Sequence, residues 1–168
     1  DAPTQTRTSI DYATGNFYWE EGDKIYVKDD DGTMQVSNAV DAAHAHSASF
    51  KFKVPGKFGG SATYKVYYLG KNSSSNQVTI PTAQTQTTPN TTDHLGDSGD
   101  YGTATATGTL GGSIFSFQLE HQPAYLVFQP YTSNAVLKNC YLTKIEVNSD
   151  DDIAETYTID PSTGNLNA

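Results

Sequence analysis

Short runs in which apolar and polar side chains alternate recur along the chain, separated by clusters of Gly, Pro, Asp, Asn and Ser. Alternation with a period of two marks strands with one buried face, and turn signals at this spacing point to a sandwich or barrel. Lys24-Ile25-Tyr26-Val27-Lys28 and Thr33-Met34-Gln35-Val36-Ser37 flank Asp29-Asp30-Asp31-Gly32, which predicts a hairpin with Asp-Gly at its turn. Ser49-Phe50-Lys51-Phe52-Lys53-Val54 alternates cleanly and predicts a strand, ended by Pro55-Gly56, with Phe50, Phe52 and Val54 facing a core and the lysines facing water. Residues 62–69 predict a strand with Tyr64, Val66 and Tyr68 on one side, and residues 77–80 another that stops at Pro81.

Residues 82–100 are polar and predict a long surface loop. Residues 102–112 alternate Thr with Ala or Gly and read as a weak edge strand or loop. The densest apolar surface comes from Ile114, Phe115, Phe117 and Leu119 and from 124–128, where Leu126 and Phe128 stand out; strands at 142–147 and 155–159 close the pattern. Helix signals are confined to 39–48, whose alanines can hold a turn or two but not a long amphipathic helix. Asp160-Pro161-Ser162-Thr163-Gly164 reads as a turn. The expected organisation is an N-terminal arm (1–16), one antiparallel β-sandwich (17–160) and a tail (161–168).

At 168 residues the chain can bury one core without staples. Its 36% hydrophobic content is made up by Ser, Thr and Asn, which suits an all-β protein with polar loops. The net charge of −9 repels phosphate backbones and anionic headgroups, arguing against nucleic-acid or membrane-surface partners. No apolar run approaches the ~18 residues of a membrane-spanning helix. Cys140 is the only cysteine, so no internal disulfide forms; its neighbours look like a strand and predict a buried, inert thiol.

Candidate chemistry is sparse, and neither a catalytic centre, a cofactor nor a metal is expected. His44 and His46, two apart near Asp41, would point to one side if they lay on a strand and could then begin a metal site. No further ligand lies close in sequence, the alanines around them read as loop or short helix, and surface histidines are expected. Asp29-Asp30-Asp31 and Asp150-Asp151-Asp152 are acidic enough to attract calcium, yet lack the alternating oxygen ligands and distal Glu that calcium loops use. Glu120-His121 has no nucleophile elbow beside it, and a His121 ring bonded to a backbone carbonyl is expected. Lys57 and Gly59-Gly60 read as a flexible loop. Trp19 with Tyr18 could form a platform for a sugar ring, whereas strand alternation favours Trp19 in the core.

Several fragments, taken in order, resemble the fimbrillin-like proteins of Bacteroidota, subunits of type V pili. They are Thr6-Arg7-Thr8; residues 17–27 with Trp19 and Gly22-Asp23-Lys24-Ile25; Tyr67-Tyr68-Leu69; and Val78-Thr79-Ile80-Pro81 with Gln84 and Gln86. Leu119-Glu120-His121-Gln122-Pro123-Ala124 and Tyr157-Thr158-Ile159-Asp160 with Thr163-Gly164 complete the series. The resemblance departs from the family in two places: a second β-domain and a lipid-bearing cysteine do not appear. What it implies is the N-terminal domain of a surface protein with a Greek-key, transthyretin-like sandwich of two antiparallel sheets. It also implies cleavage by an Arg-directed protease, for which Arg7, the lone arginine, is the candidate site. Strand exchange would then follow, with the arm at 4–12 and a core of Phe115, Phe117, Leu119, Leu126 and Phe128. Partners would be other subunits in a homopolymer, or host molecules and glycans, at the cell surface. A carbohydrate-binding module of a glycan-uptake system is the alternative, suggested by the 11 tyrosines and acidic charge.

Overall fold

The organising strand is β5 (Thr63–Tyr68), whose burial changes character along its length. Tyr64, Val66 and Tyr68 are buried on one face, as their alternation predicts, while Thr63 and Lys65 are exposed on the other. At Tyr67 the second face is buried as well, because another sheet covers that end. In this computed structural model, the residues described are 9–11, 16–71, 74, 76–88 and 91–167. They form an all-β protein of antiparallel sheets with three short 3-10 turns.

Around β5 a six-stranded sheet is built from β3 (Tyr26–Lys28), β4 (Met34–Val36), β7 (Gly102–Gly108), β8 (Phe115–Ser116) and β9 (Glu120–His121). The order is β4-β3-β5-β7-β8, with β9 also pairing β7. The expected hairpin is present: Tyr26 pairs with Val36 and Lys28 with Met34 across the Asp-Gly turn, where Gly32 has φ +82°. A three-stranded sheet, ordered β11-β10-β6, contains β6 (Gln77–Thr79), β10 (Thr156–Ile159) and β11 (Leu166–Asn167). The third sheet pairs only β1 (Ser9–Asp11) with β2 (Asn16–Tyr18).

Two clusters of buried side chains lie on opposite faces of the large sheet. One gathers Trp19, Ile25, Val27, Val40, Val66 and Tyr68 among others, with Phe50, Phe52 and Val54 packed against it on the side their alternation predicts, although residues 49–54 form no strand. The other joins Tyr67 and Leu69 to Val78 of β6 and Ile159 of β10. Leu119 is fully buried in the first cluster, a burial worth about 1.5–3 kcal/mol. It lies over Gly102, where an added Cβ would come within 2.6 Å of its Cγ.

Several expectations are corrected. β7 is an interior strand, not an edge: it pairs β5 from Thr63–Thr107 to Tyr68–Gly102 and carries β8 and β9 on its other side. The Thr/Ala alternation reflects that position, since Ala104 and Ala106 are small enough to lie buried in the first cluster. The turn after Ile159 leads into β11, which pairs Leu166 with Ile159 and Asn167 with Thr158. The 3-10 turn Ala42–His44 fulfils the brief helix expected at 39–48, capped by Asp41, whose side chain accepts from His44 N.

The chain divides into two units, Asp1–Pro123 with Ala154–Ala168, and Ala124–Ile153. The second unit is not the pair of strands expected at 124–128 and 142–147. Its one regular element is the 3-10 turn Leu137–Asn139, whose start is held by Asn134 Oδ1 accepting from Val136 N and Leu137 N. Leu126, Val127, Phe128, Leu142, Ile145 and Val147 are exposed. Strand propensity fits a residue to a sheet but supplies no hydrogen-bonding neighbour, and these runs have none. Cys140, expected to be buried, is exposed for the same reason.

Candidate functional site

The β1–β2 hairpin joins the N-terminal arm to the first residues of the core. Its register sets Ser9 opposite Tyr18, Ile10 opposite Phe17 and Asp11 opposite Asn16. Neighbouring strand residues project to opposite faces, so Phe17 and Tyr18 reach two different partners, and both partners are histidines. Phe17 stacks on His121 with ring centroids 4.0 Å apart and planes 21° from parallel. Tyr18 stacks on His46 at 4.1 Å and 18°.

Each histidine is oriented by a carboxylate. His121 Nδ1 lies 2.8 Å from Asp100 Oδ1, with their side chains 8% and 1% exposed. His121 Nδ1 thus bonds a buried carboxylate, a partner the sequence did not point to. His46 Nδ1 lies 2.9 Å from Glu20 Oε1, which also accepts from Ser9 Oγ at 2.6 Å. Ser9, Glu20 and His46 are residue types of a hydrolase triad, but the acid stands between the other two. Catalysis by a triad needs the imidazole against the hydroxyl; here the contacts tie β1 to the segment carrying His46.

His44 Nδ1 bonds Asp41 Oδ1 at 2.7 Å and His46 Nδ1 bonds Glu20 Oε1 at 2.9 Å, so the two rings are oriented by different carboxylates. Among the described residues no cluster of three or more His, Cys, Asp or Glu could hold a metal. The acidic turn is consumed by protein donors. Asp29 accepts from Gln35 Nε2 and from the amides of Asp31 and Thr33. Asp30 Oδ1 accepts from Tyr64 OH at 2.7 Å, while Oδ2 accepts from Gly59 N and Gly60 N. The Gln35 amide, chiefly, holds the Asp29 carboxyl below its ordinary range, and the Tyr64 hydroxyl does so for Asp30. The Lys57–Gly60 loop, expected to be flexible, is pinned by these bonds.

Trp19 is 4% exposed, packed edge-on against Phe52 and Tyr68, so it offers no platform to a sugar. Tyr18 is half-buried with one face on His46. Arg7 lies outside the described residues, as does all of the 4–12 arm except 9–11. Of the five candidate exchange residues, Phe115 and Phe117 pack against the first cluster and Leu119 is inside it. Leu126 and Phe128 belong to the other unit, where they are 69% and 50% exposed. The Asp100–His121 pair and its Phe17 cover had no local signal, because the two polar partners stand 21 residues apart. Comparison with protein-family models, curated proteins and solved structures finds no match for this chain.

Proposed function

We propose that the chain is a structural and adhesive cell-surface protein, a fimbrillin-like pilus subunit or anchored adhesin that assembles by strand exchange at the outer-membrane surface. In this reading the sheets adopt a Greek-key, transthyretin-like arrangement. The observation that carries the proposal is β1. It is three residues long and, among the described residues, its strand pairing is with β2 and with neither of the two larger sheets. A strand held chiefly by one hairpin partner and a few side chains can be exchanged for another of matching alternation.

In this reading cleavage after Arg7 trims the N-terminal arm and opens a groove that a strand from the next subunit fills. The test is treatment with an Arg-specific protease, followed by size-exclusion chromatography and negative-stain microscopy. Ladders or rods from the parent chain, absent from Arg7→Ala, are expected. A cleaved chain that stays monomeric, or an Arg7→Ala chain that polymerises equally, refutes the assembly mechanism.

A second reading, a carbohydrate-binding module, is favoured by Tyr131 and Tyr141, which are 96% and 93% exposed. Rings this free can stack on sugars. Titration with a glycan panel, read by tyrosine fluorescence, tests it; a flat response to every glycan rules it out.

A further inference from the structure

In the larger unit, an open cleft of about 580 Å³ runs between residues 38–44 and 49–53. Both walls are fixed by backbone bonds. Val40 N donates to Asp23 O and Gly22 N to Val40 O, each at 2.9 Å. Asn38 N donates to Lys53 O at 3.1 Å, and Lys53 N donates to Asn38 Oδ1 at 2.6 Å, closing one end. At the other end the His44 ring meets Phe50 edge-on at 5.5 Å, held by its bond to Asp41.

The cleft combines three kinds of surface. Phe50, half-buried against Phe52, supplies an apolar ring. Lys51 and Lys53 border it on exposed positions, and among the described residues neither ammonium has a carboxylate within 4.0 Å. The one acid on the lining, Asp41, already accepts the His44 ring, which keeps its carboxyl below the ordinary range. Ser49 Oγ and His44 Nε2 remain to hydrogen-bond a ligand. In a chain of net charge −9, the cleft is thus a locally cationic place beside a half-buried aromatic ring.

We propose that this cleft is a subsite for an acidic saccharide unit, a uronate. Its C–H face lies on Phe50, its carboxylate meets the two lysines, and its hydroxyls reach Ser49 and His44. The subsite deepens the carbohydrate-binding reading and rests on it. A neutral sugar lacks the carboxylate, and a polyphosphate lacks the ring face.

The experiment is calorimetric titration of the full chain with tri-galacturonate, with galactotriose as the neutral control, at two salt concentrations. Expected are saturable binding of the uronate, at least tenfold weaker binding of galactotriose, and weakening by salt. The double variant Lys51→Gln/Lys53→Gln should lose at least tenfold affinity with an unchanged circular-dichroism spectrum. Equal binding of the two sugars, or full affinity in the double variant, overturns the subsite while leaving the carbohydrate-binding reading standing. No binding of either sugar overturns the subsite, and a flat response across the wider panel removes the reading with it.

Discussion

Phe17 and His121 lie face to face, 4.0 Å between centroids, and so fasten the N-terminal hairpin to a histidine that Asp100 holds from within the fold. The stack contributes about 0.5–1.5 kcal/mol beyond area burial. Phe17→Ala should therefore open the hairpin locally. Amide exchange over Ser9–Tyr18, read by mass spectrometry, should accelerate about tenfold, equivalent to ~1.4 kcal/mol. Exchange in β5 and β7 should stay at the parent rate. Parallel acceleration in β5 would show that the ring supports the whole fold and not the hairpin alone.

How much of this was legible depends on the range of the interaction. The β3–β4 hairpin was readable because Asp29 to Gly32 is a complete local turn signal, and Phe50, Phe52 and Val54 because alternation alone sets their side. The role of β7 was not, since Thr/Ala alternation is weak and its interior place depends on two neighbours distant in sequence. At 124–128 a continuous apolar run, and at 142–147 a partial alternation, suggested strands, and still no strand formed. The Phe17–His121–Asp100 contact needs three segments brought together by the fold, and no spacing rule anticipates it.

Tyr64→Phe tests the wiring of the acidic turn. Its hydroxyl donates to Asp30 Oδ1 and accepts from Gly59 N and Ser61 N. Losing these partners should lower stability by about 1–2 kcal/mol, a fall in Tm of about 2–4 °C per kcal/mol. The Asp30 carboxyl is held below its unfolded value, so its contribution is present above that value and is lost as pH falls through the folded one. The acid limb of a Tm-versus-pH curve should be shallower in Tyr64→Phe. An unchanged limb would mean that the backbone amides alone hold the carboxylate.

His94 gives a second pH dependence with a different window. Its Nδ1 is buried without a hydrogen-bond partner among the described residues, and burial lowers the ring's pKa against the opposing pull of Asp93. The unfolded chain then binds the proton more readily than the fold. The neutral ring's full contribution is present above the unfolded value of about 6.5. It is lost as pH falls through that value and levels off below the folded one. Urea midpoints measured from pH 7.5 downward should decline less steeply in His94→Gln than in the parent. Identical slopes would assign the decline to other groups.

Gly99 couples the sheets to the hairpin through its neighbour Asp100. It has φ +86°, and a Cβ there would come within 2.6 Å of Thr79 O and 2.8 Å of Ile80 Cα. Gly22 has φ +90° but nothing within 4 Å of its added Cβ. Gly22→Ala therefore measures backbone strain alone, about 1–2 kcal/mol. Gly99→Ala adds a clash with backbone that cannot swing away, for a total of about 3–4 kcal/mol. Relief of that clash must move residue 99 away from the end of β6, carrying Asp100 with it and loosening its hold on His121. Gly99→Ala should thus accelerate amide exchange over Ser9–Tyr18 as Phe17→Ala does, whereas Gly22→Ala should not. If both glycine variants left the hairpin's exchange untouched, Asp100 would not be what positions His121 beneath Phe17.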